Sequence, residues 1–295
     1  MPRSAVLFAI ACWIWGSTWL AIKFGLAGVP PFVGASIRMA ISGVLLTGYA
    51  LMMRTPWPRG RFYIAHIFTI GVLMFGFQYA LIYWSELTVS SGLVAVLFAV
   101  NPLLTSLLAG PIFRIESLTP VNVLGLITGF CGVGLIFWSE VVAAAHASAM
   151  GSLAVLGASA LAALATVFTK RYAHDIAPIA TVGPGQIVGA LVLAALALGT
   201  ERGAAVHFTT ANVAALIYLT VFGSAIAFLI YFTLVRSMSV TKLSLMTYIT
   251  PVIAVLLGVA VAHEQLAPTT FAGVAVVFTG IGLVHVRPRQ KSGEL

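Results

Sequence analysis

One arginine of this chain stands inside a long apolar run. Arg38 lies about seven residues from the nearer end of the hydrophobic segment 32–53, which corresponds to roughly 10 Å of α-helix. A guanidinium at that depth can bind a carboxylate through paired hydrogen bonds, so Arg38 is a candidate ligand for a solute. The alternative is an internal anchor, bonded to backbone carbonyls or to a glutamate of another helix. Lys23 is expected to extend its ammonium outward, toward water.

A second set of polar groups occupies the third apolar segment. Tyr79, Tyr83 and Glu86 follow at helical positions i, i+4 and i+7, so they share one face. The tyrosines would give a cavity flat apolar walls that carry hydroxyl groups. Gln78 places an amide near the middle of the segment, where it needs a polar partner. The alternatives are a lipid-interface position for Tyr83 and ordinary core packing for Tyr79.

Tryptophans mark the first apolar segment. Trp15 and Trp19 stand one helical turn apart, with Ser17 between them. They are candidates for the wall of a binding cavity. Packing, or an aromatic belt at the membrane interface, is the alternative use of such a stripe.

Two prolines interrupt apolar segments at comparable places. Pro102 directly follows Asn101, and Pro251 comes three residues after Tyr248. A proline frees a backbone carbonyl inside a helix, and the resulting break can act as a hinge or line a cavity. We therefore expect Asn101 and Tyr248 beside a bound solute, and Pro102 and Pro251 at hinges. A simple kink is the alternative.

Several chemistries lack their motifs in this sequence. It contains no glycine-rich phosphate loop with a following lysine, and His263-Glu264 is not followed by the second histidine of a zinc protease helix. No cofactor and no metal site are expected. No carboxylate stands at the centre of an apolar segment, where a proton-coupled carrier usually keeps its relay. If the chain is a carrier, this favours an uncoupled facilitator, or coupling through an edge group such as Glu86.

The composition is that of a chain embedded in lipid. Hydrophobic residues make up 61% of the 295 residues and charged residues only 7%, with a mean hydropathy of +1.09. A soluble domain carries roughly 25% charged residues. The bilayer is thus the expected surrounding partner. The net charge of +8 is explained by the excess of cations in cytoplasmic loops, so no nucleic-acid partner is expected.

The apolar runs predict an all-α integral membrane protein with ten transmembrane helices. A span needs about 20 apolar residues, and the alternation of a membrane β-barrel is absent. The predicted spans are 4–25, 32–53, 63–85, 90–112, 119–139, 151–169, 178–198, 211–235, 240–262 and 267–286. A cytoplasmic N-terminus puts twelve of the fifteen lysines and arginines inside, so both termini are predicted to be cytoplasmic.

The chain repeats itself. Glu116-Ser-Leu-Thr-Pro120 and Glu264-Gln-Leu-Ala-Pro268 are each followed by glycines at the same spacing. This divides the chain into 1–147 and 148–295. Five spans per half is an odd number, so the second half would be inverted in the membrane, as in many alternating-access transporters. The two glutamates are expected to cap the N-termini of neighbouring helices.

Glycines at helical spacing predict close helix packing. The pairs are Gly125 with Gly129 and Gly185 with Gly189, and four further glycines are expected to extend the contact in the fifth and tenth helices: Gly132, Gly134, Gly280 and Gly282.

Taken in order, these motifs resemble the drug/metabolite transporter superfamily, in its EamA-type branch of ten helices. The resemblance rests on the doubled five-helix unit, on each half's proline, Glu-x-Leu-x-Pro and glycine-rich helix, on Trp15-Gly16-Ser17 and on Arg38. It implies a carrier of small metabolites and is similar to bacterial exporters of aromatic and other amino acids. The second half departs from the first, with Gly185 at the position that matches Arg38, so the site should be asymmetric.

The sequence therefore predicts a multi-pass inner-membrane exporter of amino acids or related small metabolites that works by alternating access, and not an enzyme. Carriers of nucleosides, nucleotide sugars or drugs are the alternatives, and a membrane-embedded enzyme is a further one. The expected partner is a small-molecule solute. The oligomeric state is left open, and a monomer would suffice.

Overall fold

The computed structural model describes residues 3–25, 28–143, 148–173, 175–262 and 267–285, without the side chains of residues 19, 20, 23, 140 and 258–262. This part of the chain is helical and contains no strand. The long helices are α1 (Arg3–Gly25), α2 (Pro31–Met52), α3 (Arg61–Ser85), α4 (Ser91–Ile112), α5 (Pro120–Ile136), α6 (Ala149–Tyr172), α7 (Pro178–Thr200), α8 (Thr210–Ser237), α9 (Val240–Ser244, continued as Met246–Ala262) and α10 (Pro268–His285).

Eight helices in the described residues are long and apolar enough to cross a membrane. They are α2, α3, α4, α6, α7, α8, α9 and α10, while α5 is a shorter apolar helix of 17 residues. The prediction of an all-α membrane protein is confirmed. Helix α5 ends at Ile136, three residues before the end of the predicted span 119–139, and the short helix Trp138–Ala143 follows it.

The helix starts follow from local sequence. Proline occupies the first position of α2, α5 and α7, where its fixed φ suits the first turn and its missing N–H costs no hydrogen bond. At α5 the Thr119 hydroxyl accepts from the backbone N–H of Asn122, whose side chain accepts from the N–H of Thr119 in return. Ser90 and Ser239 cap α4 and α9 in the same way with their hydroxyl oxygens.

Three of the described helices contain a π-helical stretch. Gly71–Phe77 lies in α3, Leu108–Ile112 lies at the end of α4, and Leu219–Ile226 lies in α8. A π-turn widens the helix and shifts the backbone hydrogen bonds, and such stretches are frequent at functional sites. The stretches of α3 and α8 each lie in the third long helix of their half.

The contacts between helices repeat when the halves are exchanged. Helix α5 packs on α10, and α2 packs on α7. The contact of α1 with α9 has its counterpart in α6 with α4, and the contact of α2 with α8 has its counterpart in α7 with α3. Helices of both halves therefore surround the centre of the molecule.

Glycine makes the contact of α5 with α10 possible. A Cβ on Gly125 would lie 2.7 Å from the carbonyl oxygen of Gly280, and one on Gly132 would lie 2.6 Å from the backbone nitrogen of Val277. The expected packing role is confirmed for these glycines and for Gly129. It is wrong for Gly134 and Gly282: a Cβ there would meet no atom within 4 Å, because both positions face away from the neighbouring helix.

We predict that Gly280→Ala lowers the thermal stability of the purified protein, because the added Cβ would overlap backbone atoms of Gly129 and Gly125 in α5. Overpacking of this kind costs about 1–3 kcal/mol. The measurement is thermal unfolding in detergent. Gly282→Ala is the matched control, two residues away on the open side of the same helix. Equal melting temperatures for the two variants would contradict the packing argument.

Candidate functional site

A cavity of about 140 Å³ lies between the two halves of the chain. Side chains of α1, α2, α3, α4, α6, α8 and α9 line it, and most of them are apolar or aromatic. The aromatic part of the wall is formed by Trp15, Tyr79, Tyr83, Phe98, Phe228 and Tyr231. The single charged residue among the described wall residues is Arg38.

Arg38 is held by hydroxyl groups. Its side chain is 1% exposed, and Nε donates to the Ser224 hydroxyl oxygen at 2.6 Å. Nη1 donates to the Tyr83 hydroxyl at 3.1 Å, and Nη2 donates to that of Tyr79 at 3.4 Å. The guanidinium carbon also lies 5.2 Å from the centre of the Tyr79 ring, a cation–π distance.

The positive charge of Arg38 has no paired carboxylate among the described residues. Its three hydrogen-bond partners are neutral hydroxyls, not the backbone carbonyls or the glutamate of an internal anchor. A guanidinium has five N–H groups, so one on each Nη remains uncommitted. A buried, unpaired charge is costly, and an anionic group in the cavity would compensate it.

A buried polar network extends from Arg38 behind the cavity wall. The Ser42 hydroxyl donates to Oε1 of Gln186 at 2.6 Å, and Nε2 of Gln186 donates to the carbonyl oxygen of Ser224 at 3.1 Å. Ser42, Gln186 and Ser224 were not among the residues predicted for the site. A signal existed for two of them: Ser42 stands one turn after Arg38 on α2, and Gln186 is an amide within an apolar span.

Of the predicted residues of α1 whose side chains the structure describes, Trp15 lies on the cavity wall and Ser17 does not. Trp15 lies on the wall, donates from Nε1 to the carbonyl oxygen of Gly223 at 3.3 Å, and packs edge-on against Phe228. Ser17 lies away from the cavity, with its hydroxyl bonded to the Ile14 carbonyl and to Tyr218. The side chain of Trp19, like that of Lys23, is outside the described residues.

Thr18 is on the wall in place of Ser17. It stands three residues after Trp15, which puts it on the same helix face, whereas Ser17 is turned toward α8.

The predicted residues of α3 and α4 come together. Gln78, Tyr79, Tyr83 and Asn101 all line the cavity. Oε1 of Gln78 is buried and has no hydrogen-bond partner. Asn101 is already engaged, since Nδ2 donates to the Ser159 carbonyl at 3.0 Å and Oδ1 accepts from Thr105 at 3.3 Å.

Tyr248 does not reach the cavity. It is fully buried, its hydroxyl donates to the carbonyl oxygen of Leu126 at 2.7 Å, and its ring fills the space beside Gly129. This geometry corrects the expectation that Tyr248 lies beside a bound solute, because the residue faces α5. The cavity face of α9 carries Ser244, Thr247 and Thr250 instead.

Both prolines lie next to wall residues. Pro102 is the second residue of the second helical part of α4, which begins at Asn101 after the turn at Ala99 and Val100. Pro251 lies within α9, beyond its interruption at Leu245 and next to Thr250. Their role as hinges stays a prediction.

Charged side chains cap helix ends. Glu116 accepts from the backbone N–H groups of Val240 and Thr241 at the start of α9, which confirms the predicted cap, while Glu264 lies outside the described residues. Glu201 does the same at the start of α2, with both distances 2.9 Å. At the end of α8, Lys170 donates to the Val235 and Met238 carbonyls at 2.8 and 3.1 Å.

Glu86 follows the last residue of α3. One of its carboxylate oxygens is buried and has no hydrogen-bond partner. Burial raises the pKa of Glu86 to about 7, and the positive charge of Arg38 opposes that rise. Its two ionisation states thus have similar populations near neutral pH.

Comparison with known proteins identifies one family over both halves. The model of the EamA-like transporter family matches residues 3–138 and 149–286. The uncharacterized transporter YvbV of Bacillus subtilis is 29% identical, over 97% of this chain and 93% of that protein. The uncharacterized transporter sll0355 of Synechocystis is 30% identical over 98% and 92%, and the uncharacterized inner membrane transporter YedA of Escherichia coli is 27% identical over 96% and 90%.

A solved crystal structure shares the fold. It matches with a TM-score of 0.75 and covers 96% of each chain, at 19% sequence identity. This likeness concerns the arrangement of the helices alone.

The raised pKa of Glu86 predicts a pH-dependent stability. A carboxyl group whose pKa is raised by folding stabilises the folded state below its ordinary value of 4.5, and this contribution is lost as the pH rises through about 7. Wild-type protein in detergent should therefore lose thermal stability between about pH 5 and pH 8, and Glu86→Gln should lose less. Parallel pH profiles for the two proteins would refute the assignment.

Proposed function

This chain belongs to the EamA-like transporter family, and on that premise we propose that it exports amino acids or related small metabolites across the inner membrane. That the protein is a membrane transporter follows from the family and from its relatives. The observation that carries the choice of solute is the buried guanidinium of Arg38 at the wall of a cavity between the two halves.

The charge of Arg38 favours a solute with a carboxylate. Two of its N–H groups are uncommitted, and a carboxylate could accept both as a charge-assisted pair. Such a pair would supply the anionic partner that the described contacts of Arg38 lack. The hydroxyls of Tyr79 and Tyr83 would keep the guanidinium fixed while solutes exchange.

The rest of the wall favours a small solute with an apolar part. Trp15 packs on Phe228 and Tyr231, with ring centres 5.3 Å apart in both pairs. Aromatic walls bury apolar side chains, and their faces attract cations such as an ammonium group. A free amino acid combines these features with a carboxylate.

Alternating access is the proposed mechanism. We infer that residues 1–147 and 148–295 form two inverted five-helix repeats, with ten spans in all and both termini in the cytoplasm. The exchange-symmetric helix contacts support this, since each half could then adopt the conformation of the other. Both halves that enclose the cavity come from one chain, so a monomer would be sufficient.

The alternatives differ in what they need from the cavity. A nucleotide sugar carries several negative charges, and Arg38 is the one cation on the described wall. A membrane-embedded enzyme would need acid–base groups, and the described wall residues include no histidine, aspartate or glutamate. Nucleosides and drugs remain the alternative solutes.

The proposed topology predicts that a reporter fused after Leu295 stays on the cytoplasmic side. Alkaline phosphatase, which is active only after export, should be inactive in this fusion, and green fluorescent protein should be fluorescent. The control is a fusion in the loop after α7, at Gly203, which should give the opposite result. A periplasmic C-terminus would overturn the count of ten spans.

The flux of solutes from proteoliposomes tests the function. Vesicles loaded with a mixture of amino acids, nucleosides and sugars should lose amino acids only when the protein is present. Arg38→Ala should lower the initial rate about tenfold or more, because hydrogen bonds to a charged group contribute about 1.5–3 kcal/mol. Tyr79→Ala should lower it as well.

Arg236→Ala is the matched control, because this exposed arginine stands at the end of α8, away from the cavity. Its flux should equal that of the wild type. Loss of nucleosides or sugars instead of amino acids would refute the proposed solute. Wild-type rates for both Arg38→Ala and Tyr79→Ala would refute the proposed site.

A further inference from the structure

The π-helical stretch of α8 gathers side chains from three other helices. The Gly223 carbonyl accepts from Trp15 of α1, the Ser224 carbonyl accepts from Gln186 of α7, and the Ser224 hydroxyl accepts from Arg38 of α2. A π-turn shifts the helical hydrogen bonds and so presents backbone carbonyls to outside donors. Two of these donors, Trp15 and Arg38, are residues of the cavity wall.

The orientation of the Gln186 amide is fixed by its partners. A backbone carbonyl can only accept a hydrogen bond, so the amide nitrogen must face the Ser224 carbonyl. The amide oxygen therefore faces the hydroxyl of Ser42, which donates to it. The network leaves α2 at Ser42, passes through Gln186 to Ser224, and returns to α2 at Arg38.

Every member of this network is buried. Ser42, Gln186 and Ser224 are 0% exposed, and none of them belongs to the cavity wall. Gln186 therefore cannot touch a solute in this conformation. An unpaired amide in such surroundings would be costly, so its two hydrogen bonds hold it in one place.

We propose that Gln186 is a positioning residue for Arg38, acting through Ser224. The inference rests on the proposed function, in which Arg38 binds the carboxylate of the solute. Gln186 fixes the part of α8 that carries the Ser224 hydroxyl, and this hydroxyl fixes Nε of Arg38. An arginine side chain has several rotatable bonds, and its planar fork binds a carboxylate well only in one orientation.

The test compares two ligands that differ only in the carboxylate. Binding of L-phenylalanine and of L-phenylalaninamide to the purified protein is measured by calorimetry, for wild type and for Gln186→Leu. We expect Gln186→Leu to weaken L-phenylalanine binding about tenfold, the size expected for a lost buried hydrogen bond, and to leave the amide's affinity unchanged. In proteoliposomes KM for L-phenylalanine should rise with little change in maximal rate.

Two further variants make the result specific. Thr220→Val is the matched control, because Thr220 is a buried residue of the same π-helical stretch, and its hydroxyl bonds, within the described part of the chain, only to Leu216 of its own helix. Its affinities should equal those of the wild type. In an Arg38→Lys background, Gln186→Leu should have no further effect on L-phenylalanine binding, because residues that act through one another are not additive.

The outcomes separate this inference from the function on which it rests. Wild-type protein that binds both ligands equally, or neither, would overturn the carboxylate role of Arg38 and the inference with it. A second outcome is that the wild type prefers L-phenylalanine, but Gln186→Leu weakens the binding of both ligands equally or of neither. This outcome would overturn the positioning role of Gln186 alone. If Gln186→Leu does not fold, Ser42→Ala replaces it. This variant should show a smaller loss of affinity for L-phenylalanine and none for the amide. An affinity for L-phenylalanine equal to that of the wild type would count against the proposal.

Discussion

A bilayer offers no water to polar groups, so this chain must satisfy them from within. The ends of the helices show how. Glu116 and Glu201 each accept two backbone N–H groups at the start of a helix, and Lys170 donates to two carbonyls at the end of another. Each of these side chains comes from a different helix or loop than the end it caps. The caps therefore also join distant parts of the fold.

The same constraint shapes the cavity. Arg38 is buried among hydroxyls, and the groups that could have neutralised its charge are not among its described partners. Most polar side chains near it are already committed to one another, as in the network of Ser42, Gln186 and Ser224. Among the groups that stay open are two guanidinium N–H groups of Arg38 and the amide oxygen of Gln78. Little of the polar surface around the proposed site is therefore free to bind a solute.

Much of the fold could be predicted from the sequence, because hydropathy marks the helices directly and the short polar breaks mark their ends. Arg38, Tyr79 and Tyr83 could be found because a charge or a hydroxyl is conspicuous in an apolar run. Which of two neighbouring residues faces the cavity could not be predicted, because a helix that is apolar all round gives no periodic signal. Tyr248 and Ser17 were misplaced for that reason, and Gly282 was placed in a contact that it does not make. Ser224 carried no signal at all, because only the π-helical stretch turns it toward Arg38.

The π-helical stretch of α8 also sets the direction in which each later side chain of that helix points. Phe228 and Tyr231 come directly after Leu219–Ile226, and both face the cavity. Each residue turns an α-helix by about 100°, so removing the one extra residue of a π-turn would rotate both rings toward other surroundings. The length of α8 is therefore under a constraint that its composition does not reveal. Deletion of one residue there would preserve the hydropathy of the span and still turn the rings of Phe228 and Tyr231 away from the cavity.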